Sequence, residues 1–169
     1  SSHLSSPSHA MPFVDGKCQK NACKRVNVGG KLLTNFLKEL VSYRQWNMMD
    51  ETPLMNQVKE DLCYVSTNFD HDLQAAHLSN QRPAVSSTTR VQPAMDHTNQ
   101  PMKRSFVMPD FSSIMRGFVK PLDAPVDATQ QELAMETERF GVPEVLFHPS
   151  DVGMNQGGIA DAVCQALSE

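Results

Sequence analysis

The sequence lacks any long apolar run. Nothing in its 169 residues approaches the roughly 20 apolar positions that a membrane-crossing helix needs. It also lacks a basic block: 15 Lys and Arg stand against 19 Asp and Glu, for a net charge of −4. Non-specific nucleic-acid binding is driven by such blocks, so no direct sequence-specific nucleic-acid contact is expected. Ser1 to Ala10 has neither the charged start nor the apolar centre of a signal peptide. There is no initiator methionine, which points to a fragment or a processed form.

Four cysteines are too few for a disulfide framework at this length. Cys18 and Cys23 have four residues between them, without a glycine turn or a second pair, and the cysteines read as reduced intracellular thiols. His3 and His9 lie near them in sequence, but the spacing fits no familiar zinc ribbon or finger, so no metal site is assigned. Catalytic signatures are missing too. Gly29-Gly30 has no Gly-Lys-Ser/Thr ending and no Rossmann pattern around it. His148 is followed by Ser150 and Asp151, yet no glycine elbow surrounds the serine. Asp70 and Asp72 fall on different sides of a helix and make a poor acid/base pair. No catalytic residue is assigned, and the chain reads as a non-enzyme.

What is present is one domain's worth of mixed elements. Residues 1–23 are polar and without period, and read as an irregular segment. Lys24 to Val28 suits a short strand, and Gly29-Gly30 a turn that β-carbons would crowd. From Lys31 the period is helical, with Leu33, Phe36, Leu37, Leu40 and Val41 on one face, to an end near Tyr43 or Arg44. Thr52 suits a cap and Pro53 the first position of a second helix, with Leu54, Val58, Leu62 and Val65 inward. A third helix is expected over Phe69 to Leu78. Residues 79–104 are rich in Ser, Thr, Gln, Asn and Pro, and read as a disordered surface insertion with no core position.

Beyond it, Phe106 to Met108 and Ile114 to Val119 predict a β-hairpin, and Gln130 to Arg139 has helical composition with surface ion pairs from Glu132, Glu136 and Arg139. A short helix is expected from Pro143 and a turn at Pro149-Ser150-Asp151. The last helix follows Gly157-Gly158, with Ile159, Ala162, Val163 and Ala166 or Leu167 inward. Taken alone, Gly29-Gly30 is a strand-to-helix turn able to offer N–H groups to a phosphate, and Lys59-Glu60 is a solvated helix face able to meet a base and ribose hydroxyls.

Three blocks in order resemble the actin superfamily. They are Val26-Asn27-Val28-Gly29-Gly30-Lys31-Leu32-Leu33-Thr34-Asn35, then Val58-Lys59-Glu60-Asp61-Leu62-Cys63-Tyr64-Val65, then Glu138-Arg139-Phe140-Gly141-Val142-Pro143-Glu144 continuing through Leu146 to Ile159. Ser42-Tyr43-Arg44-Gln45, Met49-Asp50-Glu51-Thr52 and Pro109-Asp110-Phe111-Ser112 are worded more like a nuclear actin-related protein than like conventional actin. The resemblance implies an α+β fold, part of the actin-like (ribonuclease H-like ATPase) architecture. Residues 24–169 would form most of one lobe, chiefly its helical outer subdomain with a small β-hairpin.

By that resemblance Gly30, Lys59 and Glu60 fall on the adenosine side of a nucleotide site. The Asp-x-Gly phosphate loops and the later Gly-Gly loop are not found, so no cofactor is expected in this chain, and ATP binding is left to the intact parent. The resemblance further implies a nuclear scaffold subunit of a Swr/SRCAP-type remodelling complex, which exchanges a core histone for its variant. Its partners would be the remodelling ATPase subunit and a small zinc-finger protein, with the nucleosome contacted indirectly. The alternatives are an ATP-binding actin-fold protein and a cytoskeletal actin. A partial lobe is expected to leave apolar faces uncovered around Val142 to Phe147 and Ile159 to Val163, and hence to be marginally stable or to associate.

Overall fold

The computed structural model describes residues 7–81, 95–96, 99–125 and 127–168, with the side chains of 79–81 excepted. Residues 7–23, expected to be irregular, contain three short strands: β1 (Ser8–Ala10), β2 (Phe13–Val14) and β3 (Lys17–Cys18). β2 and β3 form a two-residue hairpin over Asp15 and Gly16, which both have positive φ, 50° and 75°. That twist matches the strands it joins. β1 pairs antiparallel with β4 (Lys24–Val26), aligning Ser8 with Val26.

Three helices follow: α1 (Gly30–Arg44), α2 (Thr52–Leu62) and α3 (Phe69–Gln81). On α1, Leu33, Leu37 and Val41 are buried, and on α2 Met55, Val58 and Leu62. Leu54 is only partly buried and Val65 is exposed, so the second stripe runs through Met55 instead. Thr52 does not cap α2. It is the first helical residue, and its hydroxyl accepts a 2.9 Å bond from the buried Lys38, which also donates to the Met49 carbonyl at 3.1 Å. One ammonium thus fixes the α1–α2 connector.

Part of the expected insertion, residues 82–94 and 97–98, lies outside the described residues. Its flanks are structured: α3 continues to Gln81, Met95 bridges Pro101, and Asp96 is buried. Met102 is 1% exposed and packs in a second small core with Ala76 and Phe140, which corrects the expectation of no core position there.

The expected hairpin is a three-stranded antiparallel sheet, with β5 (Arg104–Val107) between β6 (Phe118–Val119) and β7 (Glu132–Met135). β7 occupies sequence of helical composition. Leu133 and Met135 alternate inward with the half-buried Glu132 and Ala134, and β5 supplies the ladder from Arg104↔Met135 to Val107↔Glu132. Pairing and burial override helix propensity here. α4 (Glu138–Glu144) follows, then a 3₁₀ turn (Pro149–Val152) and α5 (Ile159–Leu167).

α5 lies against β1 and β4. Its start needs glycine, since a Cβ on Gly158 would sit 1.9 Å from the Phe147 carbonyl oxygen. Ala162 and Ala166 are buried, but Val163 and Leu167 face out. The main core runs from Val26 and Val28 through α1 and α2 to Phe106, Leu133, Val142 and Val145. Val142 and Val145 are therefore covered by the chain itself, contrary to the expected open face there.

Candidate functional site

Gly30 opens α1 and Lys59 sits one turn before the end of α2. These helices pack together, and the three predicted residues converge at that contact. Lys59 Nζ donates to the Gly30 carbonyl at 3.3 Å, to Thr34 Oγ1 at 3.0 Å and to Asn56 Oδ1 at 2.8 Å. An ammonium has three donors, and all three are engaged. Asn56 then donates to Glu60 Oε1 at 2.7 Å. Thr34 Oγ1 has one proton to give, with the Gly30 carbonyl at 2.9 Å and Asn56 Oδ1 at 3.1 Å as acceptors.

Thr34 and Asn56 were not among the residues the sequence assigned to the site. Their signal was helical spacing: Thr34 is four residues after Gly30, and Asn56 is three and four before Lys59 and Glu60. The reason for glycine also changes. Gly30 does not have positive φ, and a Cβ there would meet Lys59 Nζ at an ordinary 3.6 Å. What the position provides is the carbonyl that receives the ammonium.

Chemically the network is polar and pre-organised. Glu60 is exposed and presents a carboxylate suited to hydroxyl donors, while Lys59 is half-buried and presents its stem. No group of three or more His, Cys, Asp or Glu placed to hold a metal occurs among the described residues.

A second constellation, the Glu138-Arg139-Phe140 block, holds the elements together. Arg139 is buried rather than on a surface ion pair. Its Nε donates to the Leu62 carbonyl at 3.0 Å, and one terminal nitrogen donates to the carbonyls of Pro101 at 3.0 Å and Met102 at 2.6 Å. The guanidinium carbon lies 5.0 Å from the Tyr64 ring centroid. Burial lowers its pKa, and the second guanidinium of Arg104 adds to this, while Tyr64, Asp96 and Cys63 oppose it.

Glu138 is buried and ion-paired to Arg44. Glu132 pairs with Lys120 at 2.5 Å, not with Arg139. Gln45 treats β7 as a strand would: its amide nitrogen donates to the Ala134 carbonyl at 2.5 Å and its oxygen accepts from the Ala134 N–H at 3.0 Å. Burial pushes the Cys63 thiol up to about 12, with Arg139 and Lys59 opposing the shift. An apolar cleft of about 270 Å³ between α1, α3 and α4, lined by Phe36, Leu40, Phe69 and Leu73, shares no residue with the Lys59 network.

The blocks that carried the resemblance are thus the ones that build the helix contact and the buried hub. Residues 5–169 match the family described as actin. The chain belongs to the actin family. Within it, the chain is 38% identical over 161 residues to actin-related protein 6 of Drosophila melanogaster, covering 94% of this chain and 36% of that protein. Actin-related protein 6 of Arabidopsis thaliana is 37% identical over 166 residues, covering 95% and 39%. An actin-like protein of Caenorhabditis elegans is 41% identical over 157 residues, covering 93% and 34%. The chain spans between a third and two fifths of the length of the relatives it matches. Its mixed helices and small sheets are a partial actin-like fold.

Proposed function

We propose that the chain is a lobe of a non-catalytic, nuclear, actin-related scaffold subunit in a Swr/SRCAP-type remodelling complex that exchanges a core histone for its variant. The observation that carries this reading is similarity along nearly the whole chain to proteins named actin-related protein 6, at 34–38% identity. The partners are the remodelling ATPase subunit and a small zinc-finger protein, and the nucleosome is reached through them. Scaffolding needs a rigid lobe with outward-facing anchors. Tyr43, Trp46 and Met49 fit that need, lying exposed around the end of α1.

A second reading is supported by the Lys59 network: adenosine binding by a longer parent, with Glu60 on ribose hydroxyls and the Lys59 stem beside the base. The two readings are compatible, because a nucleotide bound to the folded state stabilises it by mass action.

Affinity capture of the tagged chain from nuclear extract, read by mass spectrometry, tests the first reading. Recovery of a remodelling ATPase together with a zinc-finger protein is expected. Recovery of chaperones alone would sink it for this lobe. Calorimetric titration of ATP into the longer parent and its Lys59→Ala variant tests the second. Affinity lost with the substitution is expected, and equal affinity would remove Lys59 from the site.

A further inference from the structure

We propose that Cys18 and Cys23 form a redox-active dithiol, a modification site that closes to an intramolecular disulfide by exchange with a low-molecular-weight disulfide of the glutathione class. Cys18 ends β3, and Cys23 caps the 3₁₀ turn formed by Lys20–Ala22. That turn folds the chain back so that the two sulfurs lie 3.9 Å apart. The backbone around them is tied down. Gln19 N–H donates to the Pro12 carbonyl at 3.0 Å, Ala22 N–H to Gln19 at 3.1 Å and Cys23 N–H to Lys20 at 3.3 Å. β2 fixes the other side through the register Phe13↔Cys18.

A disulfide needs the sulfurs only about 2 Å closer. Both cysteines are half-buried, so a small oxidant can reach them. The other thiols are poor competitors. Cys63 is held as a thiol by burial, and Cys164 is exposed on α5, more than 100 residues along the chain from Cys63. His9 is in β1, opposite Arg25, and no third ligand completes a metal set among the described residues. The pair therefore reads as a dithiol and not as a metal site.

The exchange balances without another reagent. One cysteine thiolate attacks a sulfur of the small disulfide, whose S–S bond breaks and releases one small thiolate. The second cysteine thiolate then attacks the protein sulfur of the mixed disulfide and releases the second. Two protein thiols become one disulfide, one small disulfide becomes two small thiols, and the two protein protons pass to the leaving thiolates. Burial, the bond to Cys23 and its charge all raise the Cys18 thiol above its ordinary value, so closure quickens as pH rises. In a reducing compartment such a bond is transient, as a regulatory disulfide is. Closure would staple the β2–β3 hairpin to the residue before β4, the strand that leads into Gly29-Gly30.

The test equilibrates the 169-residue chain across a series of oxidised-to-reduced glutathione ratios, in native buffer and in concentrated urea. Samples are acid-quenched, alkylated and peptide-mapped. Trypsin cuts after Lys20, between the two cysteines, so a closed bond appears as two linked peptides. Native Cys18–Cys23 closure is expected at a ratio at least about tenfold lower than in urea, with Cys63 and Cys164 still alkylated. Cys18→Ser should leave Cys23 as a glutathione mixed disulfide. Separate glutathionylation of both cysteines without closure would overturn the proposal. So would equal closure in urea, which would assign the proximity to chain spacing and not to the fold.

Discussion

Arg139 is a buried charge that ties distant segments of the chain together. Three carbonyls from two distant segments converge on it, and none is on its own helix. Arg139→Ala would leave them without their donor and remove the cation above Tyr64, so a loss of about 2–4 kcal/mol is expected in urea unfolding. Arg139→Lys should remain well below wild type, because a lysine cannot reproduce the planar fork.

Cys63, next to this hub, gives a pH signature. Its folded value is about 12 against an ordinary 9.0. Between those values the unfolded chain has released a proton that the folded chain keeps. The contribution is therefore complete below pH 9 and is lost as pH rises towards 12, by up to about 1.4 kcal/mol per pH unit. Tyr64 is also raised, first by burial and then by Asp72, and adds the same sign above pH 10.0. Cys63→Ala should flatten the lower part of a plot of stability against pH, and an unchanged slope would refute the assignment. The block that holds Arg139 was recognisable in the sequence as a family signature. Its burial was not, because an arginine among glutamates reads locally as a solvated helix face.

Among elements, the helices were the most legible. α1 and α2 carry periodic apolar faces, and the structure keeps both with small shifts. β7 was not legible, since its partner strand lies more than 20 residues earlier and its neighbour Gln45 lies 89 residues from Ala134. The Asp15-Gly16 turn was legible in principle, being a strong two-residue hairpin signal between short strands. The glycine that opens α5 was legible as a helix start, and the structure adds the reason. Gly158→Ala forces a Cβ onto the Phe147 carbonyl oxygen, where backbone cannot yield as a side-chain tip would. A loss of about 2–3 kcal/mol in urea unfolding is expected, while Gly141→Ala, which meets nothing within 4 Å, should cost far less. Equal effects would mean that the tight approach at Gly158 does not exist.

For the molecule as a whole, the sequence placed the candidate residues on two helices that the structure packs together. Gly30, Lys59 and Glu60 come together because two predicted helices pack, but the network's interior members, Thr34 and Asn56, became visible only with the helix contact. The chain closes its own core around Val142 and Val145, yet leaves Val163 and Leu167 exposed on α5 and Tyr43 and Trp46 exposed around the end of α1. Those surfaces are where neighbours would have to sit if this lobe serves a larger assembly. Conventional filament formation is the competing outcome. The most direct measurement mixes the purified chain with the remodelling ATPase subunit and its zinc-finger partner, and follows them by sedimentation velocity at low salt and under actin-polymerising salt. A discrete stoichiometric complex in both conditions is the expected result. No association with either protein, or salt-induced pelleting of the chain alone, would contradict the scaffold assignment.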